Sequence, residues 1–194
     1  MDPREEKILD AAMRVFTRYG VRKTTMADIA GEAGVARQTL YNVYANKEDV
    51  LRGTIRHSMA QSLADIEAAF TGTPDLAGRL DIILDHLVVR PFDMITASPE
   101  ADDLINGVNA ACVDELAVVG QRFREVLERV LAPHAAAVAK SGMTVPELAD
   151  LIFTAGKGAK TQARDRAHML ALVASLKTMA LMAAGEPVRL AEPA

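Results

Sequence analysis

Arg37, Gln38, Thr39, Tyr41, Asn42 and Lys47 crowd a short stretch with side chains suited to hydrogen bonding rather than to bond making. An Arg fork matches the O6/N7 edge of guanine and a Gln or Asn amide matches adenine. A Thr methyl packs on that of thymine, and Tyr and Lys more often hold phosphate oxygens. On a helix, Arg37, Gln38, Tyr41 and Asn42 stand at i, i+1, i+4 and i+5 and share one edge. Leu40, Val43 and Tyr44 are predicted to turn inward on the other. Asn46 reads as an N-cap answered by Asp49, so Lys47 opens a further helix, where free amides and the macrodipole also favour phosphate. The stretch combines readers of base edges with clamps for a nucleic-acid backbone.

Such side chains need a rigid mount, and the preceding residues supply one. Thr25 with Asp28 three residues on is a capping-box signature, which starts a helix near Met26. Ile29, Ala30 and Ala33 give that helix an apolar face, and Gly34 supplies the left-handed backbone that ends it sharply. A second helix starts almost at once, with Val35, Leu40 and Val43 expected to face the first. Two short helices joined by a glycine turn make a helix-turn-helix pattern. Upstream, Ile8, Leu9, Ala12, Val15 and Phe16 form a stripe ending at Gly20, a first helix that braces the pair.

Through Thr25, Ile29-Ala30, Ala33-Gly34-Val35, Thr39-Leu40-Tyr41, Tyr44 and Lys47-Glu48 the chain resembles the tetracycline-repressor (TetR) family of bacterial transcriptional regulators. The combined motif is specific and covers roughly the first quarter of the chain. The resemblance implies an all-α protein with a three-helix DNA-binding domain at residues 1–50. A helical effector-binding and dimerisation domain follows at 51–186, then a tail at 187–194. It further implies a homodimer that binds double-stranded DNA at a palindromic operator, usually represses transcription, and is released by a small-molecule effector. Thr25 and the six residues above are then the DNA-binding set. This sequence departs from the family at Ala36, where Ser or Thr usually caps the recognition helix, at Gln38, where Gly is common, and at Tyr44, usually Phe. A missing cap costs roughly 0.5 to 2 kcal/mol, and a buried tyrosine hydroxyl needs a partner.

Composition sets bounds on the reading. The 194 residues are half hydrophobic, enough to bury a core in one compact unit or two closely joined helical domains. A net charge of −4 argues against bulk polyanion binding, so DNA affinity must come from a local patch. The first 50 residues carry eight basic and eight acidic side chains. Arg22, Lys23, Arg37 and Lys47, helped by Arg52 and Arg56, are left to face phosphates. Cys112 is the only cysteine; no intramolecular disulfide can form, and a reduced cytoplasmic setting is the economical expectation. Its alternatives are a buried structural thiol or a redox sensor. The charged Arg4–Lys7 start followed by an amphipathic pattern does not read as a signal peptide, so none is expected, and no apolar run reaches the ~18 residues of a membrane span.

Beyond the reader, the pattern is helical throughout. A linking helix runs from Lys47 to a break at Thr71–Pro74, another from about Leu76 to Val89 with Pro91 bending or ending it, and a short one opens at Ser98-Pro99. A long helix is expected from Asp114 to Lys140, bent near Pro133, followed by helices near Val145–Thr161 and Arg164–Ala184. The wide apolar face of the last one, with Leu170, Leu181 and Met182 beyond the main stripe, fits a homodimer through the last two helices; a buried central helix of a monomer is the alternative. His86, Arg90, Asn106 and Asn109 are the candidate effector-binding residues, within a largely aliphatic cavity poor in aromatics.

Catalysis finds no support. Ala155–Thr161 has a Lys-Thr pair but lacks both glycines of a phosphate-binding loop and any preceding strand. Its basic residues Lys157, Lys160 and Arg164 are read as an exposed face. The histidines lack metal-ligand spacing, and no nucleophile elbow occurs, so no catalytic residue, metal or cofactor is expected. A helical small-molecule carrier or enzyme keeping the reader only as scaffold is the rival reading.

Overall fold

The computed structural model describes residues 2–187, and among them every regular element is helical. In chain order these are α1 (Pro3–Lys23), α2 (Met26–Ala33), α3 (Arg37–Tyr41), α4 (Lys47–Phe70) and α5 (Leu76–Leu84). A single π-helical stretch (Asp85–Val89) leads into α6 (Arg90–Thr96). Then come α7 (Ala101–Ala111), α8 (Val113–Leu131), a 3₁₀ turn at Ala132–His134, α9 (Ala135–Lys140), α10 (Val145–Gln162) and α11 (Arg166–Ala183). The all-α expectation holds. The expected break at Pro133 is that 3₁₀ turn, and the last two helices match their expected spans within two residues. The expected tail lies, but for Pro187, outside the described residues.

The contacts divide the chain into two units. The first joins residues 1–64 to 93–119, the second 65–92 to 120–194. The expected boundary at residue 50 falls inside α4, which carries residues of both units.

In the first unit α1 starts on the Asp2 carboxylate, which accepts the Arg4 N–H at 2.9 Å, with Pro3 in the first turn where its missing N–H costs nothing. Ile8, Leu9, Val15 and Phe16 of α1, Ile29 of α2, Leu40 of α3 and Val50 and Leu51 of α4 form one core with Leu104 and Cys112. Packing, rather than intrinsic propensity, therefore stabilises helices as short as α2 and α3. Near its end α1 breaks at Gly20, whose φ of 76° suits glycine; an added Cβ there would also lie 2.3 Å from the Asp103 carboxylate.

In the second unit Ile66, Leu80, Ile83, Leu84, Val88, Phe123, Leu127, Leu131, Ile152 and Met169 are buried. Thr144 and Glu147 form a second capping box, at the start of α10. Gly156 lets α10 close on the π stretch, since a Cβ there would press the Leu87 and Val88 methyls at 3.2 Å. Lys177 of α11 pairs with Asp81 of α5 at 2.6 Å, and the Arg124 guanidinium lies 4.2 Å above the Phe153 ring.

Candidate nucleic-acid interface

The mount is built as its residues dictate. The Thr25 hydroxyl accepts the Asp28 N–H at 3.3 Å, while the Asp28 carboxylate accepts the Thr25 N–H at 2.9 Å and its hydroxyl at 2.6 Å. Those donors, the Thr25 hydroxyl first, hold the Asp28 carboxyl below its ordinary range. At the other end Gly34 takes the left-handed conformation and its N–H reaches the Ala30 and Gly31 carbonyls, while the Val35 N–H reaches that of Ala30 at 3.0 Å. The chain is then free to start α3 within three residues.

Helix α3 is short. Ala36 has the extended backbone of an N-cap but offers no side-chain hydrogen bond. Leu40 is wholly buried, whereas Arg37, Gln38, Tyr41 and Asn42 are exposed along one edge and Thr39 is half-buried. Gln38 Nε2 donates to Asn42 Oδ1 at 3.0 Å, which leaves a Gln38 oxygen and the Asn42 NH₂ unspent, an acceptor and a donor matching the adenine edge. Among the described residues Arg37 has no ion pair and presents its fork freely.

The inward expectation for Val43 is corrected: it is 47% exposed. The Leu40 carbonyl accepts both the Val43 N–H at 3.1 Å and the Tyr44 N–H at 2.9 Å. That tightening of the last turn swings Val43 outward and gives the inner position to Tyr44. Tyr44 is buried, and its hydroxyl donates to Glu5 Oε1 at 2.9 Å, which supplies the partner it needed and ties the end of the motif to α1. Burial first, then Glu5, drives its pKa upward.

Lys47 is half-buried, its ammonium donating to the Val21 carbonyl at 2.7 Å and the Arg22 carbonyl at 3.2 Å. One N–H remains for an anion. Asn46 accepts the Asp49 N–H at 2.8 Å, as its capping role requires. Other cations expected to face phosphates have carboxylate partners: Arg22 with Asp103, Lys23 with Glu100, Arg52 with Asp49, and Arg56 with Glu115. Three of those four pairs join residues far apart in the chain, so no local pattern announces them.

The four effector candidates are divided between the two units. His86 lies buried in the π stretch, where its Nδ1 has no hydrogen-bond partner; burial first and Arg90 second depress its pKa. Arg90 is exposed and pairs with Asp85 at 2.7 Å and Asp65 at 3.6 Å. Asn106 and Asn109 are exposed on α7, in the first unit. Cys112 is fully buried, and burial, reinforced by Glu115, pushes its thiol up to about 11. That favours the structural reading, since a sensor thiol needs the opposite shift. The lysine-threonine run lies inside α10, but Lys160 departs from the exposed face expected of it: it is half-buried, and burial lowers its pKa.

Residues 8–54 match the model of the tetR family of bacterial regulatory proteins. The chain is 30% identical over 130 residues to the transcriptional repressor BepR of Brucella suis, a match covering 66% of this chain and 60% of that one. The chain spans less than two thirds of the length of the curated relatives it matches. A TetR transcription regulator from Haloarcula marismortui has the same fold with a TM-score of 0.69 at 21% identity, over 95% of this chain and 98% of that one. So does FadR from Bacillus subtilis, in complex with stearoyl-CoA, with a TM-score of 0.59 at 20% identity over 91% and 97%. With its capped α2, glycine turn and α3, the N-terminal portion of the chain carries the domain of the tetR family of bacterial regulatory proteins.

Proposed function

We propose that this chain is a ligand-responsive DNA-binding regulator that acts as a homodimer on a palindromic operator, as a repressor. The carrying observation is the free polar edge of α3, with Leu40 buried behind it and Arg37, Gln38, Tyr41 and Asn42 in front. In this reading α3 enters the major groove, Arg37 with the Gln38–Asn42 pair reads bases, and Thr39 offers its methyl. Tyr41 and the spare N–H of Lys47 hold phosphates, and Thr25, whose donors are taken by Asp28, seats the helix pair that presents them. Residues 1–50 form the reading domain, and residues 51–186 take the effector and the partner subunit.

Dimerisation through α10 and α11 is supported by Leu151, Leu170, Met179 and Met182, large apolar side chains left exposed on those helices. Two heads then read half-sites one helical turn apart. The effector is an apolar small molecule bound in the second unit, where aliphatic side chains dominate and His86 offers a hydrogen-bonding nitrogen. The Bacillus neighbour's stearoyl-CoA fits that chemistry. An effector favouring a dimer with wrongly spaced heads must lower operator affinity reciprocally, by about 1 to 3 kcal/mol.

A gel shift with the DNA upstream of the chain's own gene tests the reading, followed by titration with long-chain acyl-CoA and neighbouring metabolites. A shifted band that one of them releases is the expected result. No shift at all would favour the rival helical carrier.

A further inference from the structure

We infer that Arg22 and Lys23 form a second phosphate-contact site for duplex DNA, and that Glu100 and Asp103 keep it electrostatically masked in the free protein. The inference rests on the DNA-binding reading above and adds a regulated contact to it.

Asp103 grips Arg22 twice. Its Oδ1 lies 2.9 Å from the Arg22 Nε and its Oδ2 accepts the Arg22 backbone N–H at 2.8 Å. Glu100 takes the Lys23 ammonium beside it. The two sides of the Arg22 pair differ in kind: its side chain is 82% exposed and that of Asp103 only 13%. The carboxylate is thus an anchored mask and the guanidinium a water-exposed head, most of its donors unspent.

Lys47 brings a third cation to the same spot, its ammonium on the Val21 and Arg22 carbonyls. Three positive side chains therefore converge on the α1–α2 junction, directly before the Thr25 cap. Two of them are cancelled.

The mask is seated by packing as well as charge. The Ser98 hydroxyl donates to the Thr17 carbonyl at 2.6 Å, and Gly107 comes so close to Val21 that a Cβ would lie 2.5 Å from its side chain. An exposed ion pair is weak and screened by salt, whereas phosphate binding gains from counterion release. Duplex phosphate can therefore displace the carboxylates, and anything that lifts the 98–107 segment from α1 would strengthen DNA binding. Masking also fits a chain whose reading portion carries no net positive charge.

The test is fluorescence anisotropy on the operator fragment and on a scrambled duplex of equal length, across a salt series. Glu100→Gln and Asp103→Asn are expected to bind both duplexes about two- to fivefold tighter at low salt, with the salt slope steeper by about 1 per released cation. Combined Arg22→Gln and Lys23→Gln should weaken both duplexes and abolish the gain from Glu100→Gln. Unchanged affinity and slope in Glu100→Gln, or a gain that survives without Arg22 and Lys23, overturns the inference. If Asp103→Asn melts early, Glu100→Gln and the Arg22/Lys23 variant decide alone. Arg37→Ala separates the two readings: operator preference lost there while Glu100→Gln changes nothing removes the mask and leaves the reader. No duplex binding by any variant or by the unaltered protein removes both.

Discussion

Arg37 and Lys47 stand close in sequence and in opposite physical situations. The Arg37 fork has no ion pair among the described residues, so Arg37→Ala should leave urea unfolding unchanged. It should cost about 1 to 3 kcal/mol on the operator and relax base preference at one position. Lys47 serves the fold as well, through the Val21 and Arg22 carbonyls. Lys47→Ala should therefore weaken all DNA sequences alike, flatten the salt slope by about 1, and lower unfolding stability by roughly 0.5 to 1.5 kcal/mol; an unchanged salt slope would contradict the phosphate contact. Alkaline pH should reveal Cys112. Its thiol titrates at about 11 folded against an ordinary 9.0, so the unfolded chain loses that proton first and stability falls as pH rises from 9 towards 11. Tyr44, also shifted upward, adds to the same decline. Urea midpoints flat across that range would refute the assignment. The sequence already demanded a partner for the Tyr44 hydroxyl but could not name Glu5, 39 positions away.

Elements with local causes were the most legible. Thr25 with Asp28 and the Gly34 turn announced α2, and Pro133 announced the interruption between α8 and α9, because each acts through its own neighbours. Thr144 with Glu147 carries the same signature as Thr25 with Asp28 and sharpens the start of α10. Val43 was misread because helical periodicity assumes that the helix continues, while α3 closes at Tyr41. The π stretch at Asp85–Val89 lies directly before Pro91, the residue expected to bend that helix, although nothing in the sequence announces its π form. Helix α3 also lacks its cap. Ala36→Ser should supply a hydroxyl to the first-turn amides and raise unfolding stability by about 0.5 to 2 kcal/mol, read from urea midpoints. No gain would mean that those amides are already satisfied.

For the molecule as a whole, apolar periodicity foretold a helical chain and net charge implied that any DNA affinity must be local. What composition could not supply was which cations remain free, because ion pairs such as Arg22 with Asp103 and Arg56 with Glu115 form only once distant segments meet. In the proposed dimer the contact face includes α11, where Met179 and Met182 are 58% and 62% exposed. Met179→Glu is expected to convert dimers to monomers in sedimentation velocity and to weaken operator binding with it, since each monomer keeps one head. Retained dimers would move the interface off that face.

The chain's one thiol is both fully buried and reluctant to ionise, and the sequence has no tryptophan. Maleimide and indole fluorescence would therefore meet almost no background. A single cysteine placed at exposed Asn42 would accept a spin label selectively, and a single tryptophan at Tyr41 would report alone on what the helix touches. Pulsed electron resonance between two such labels in a dimer would read the spacing of the heads directly, with and without an effector, on an otherwise unmodified chain.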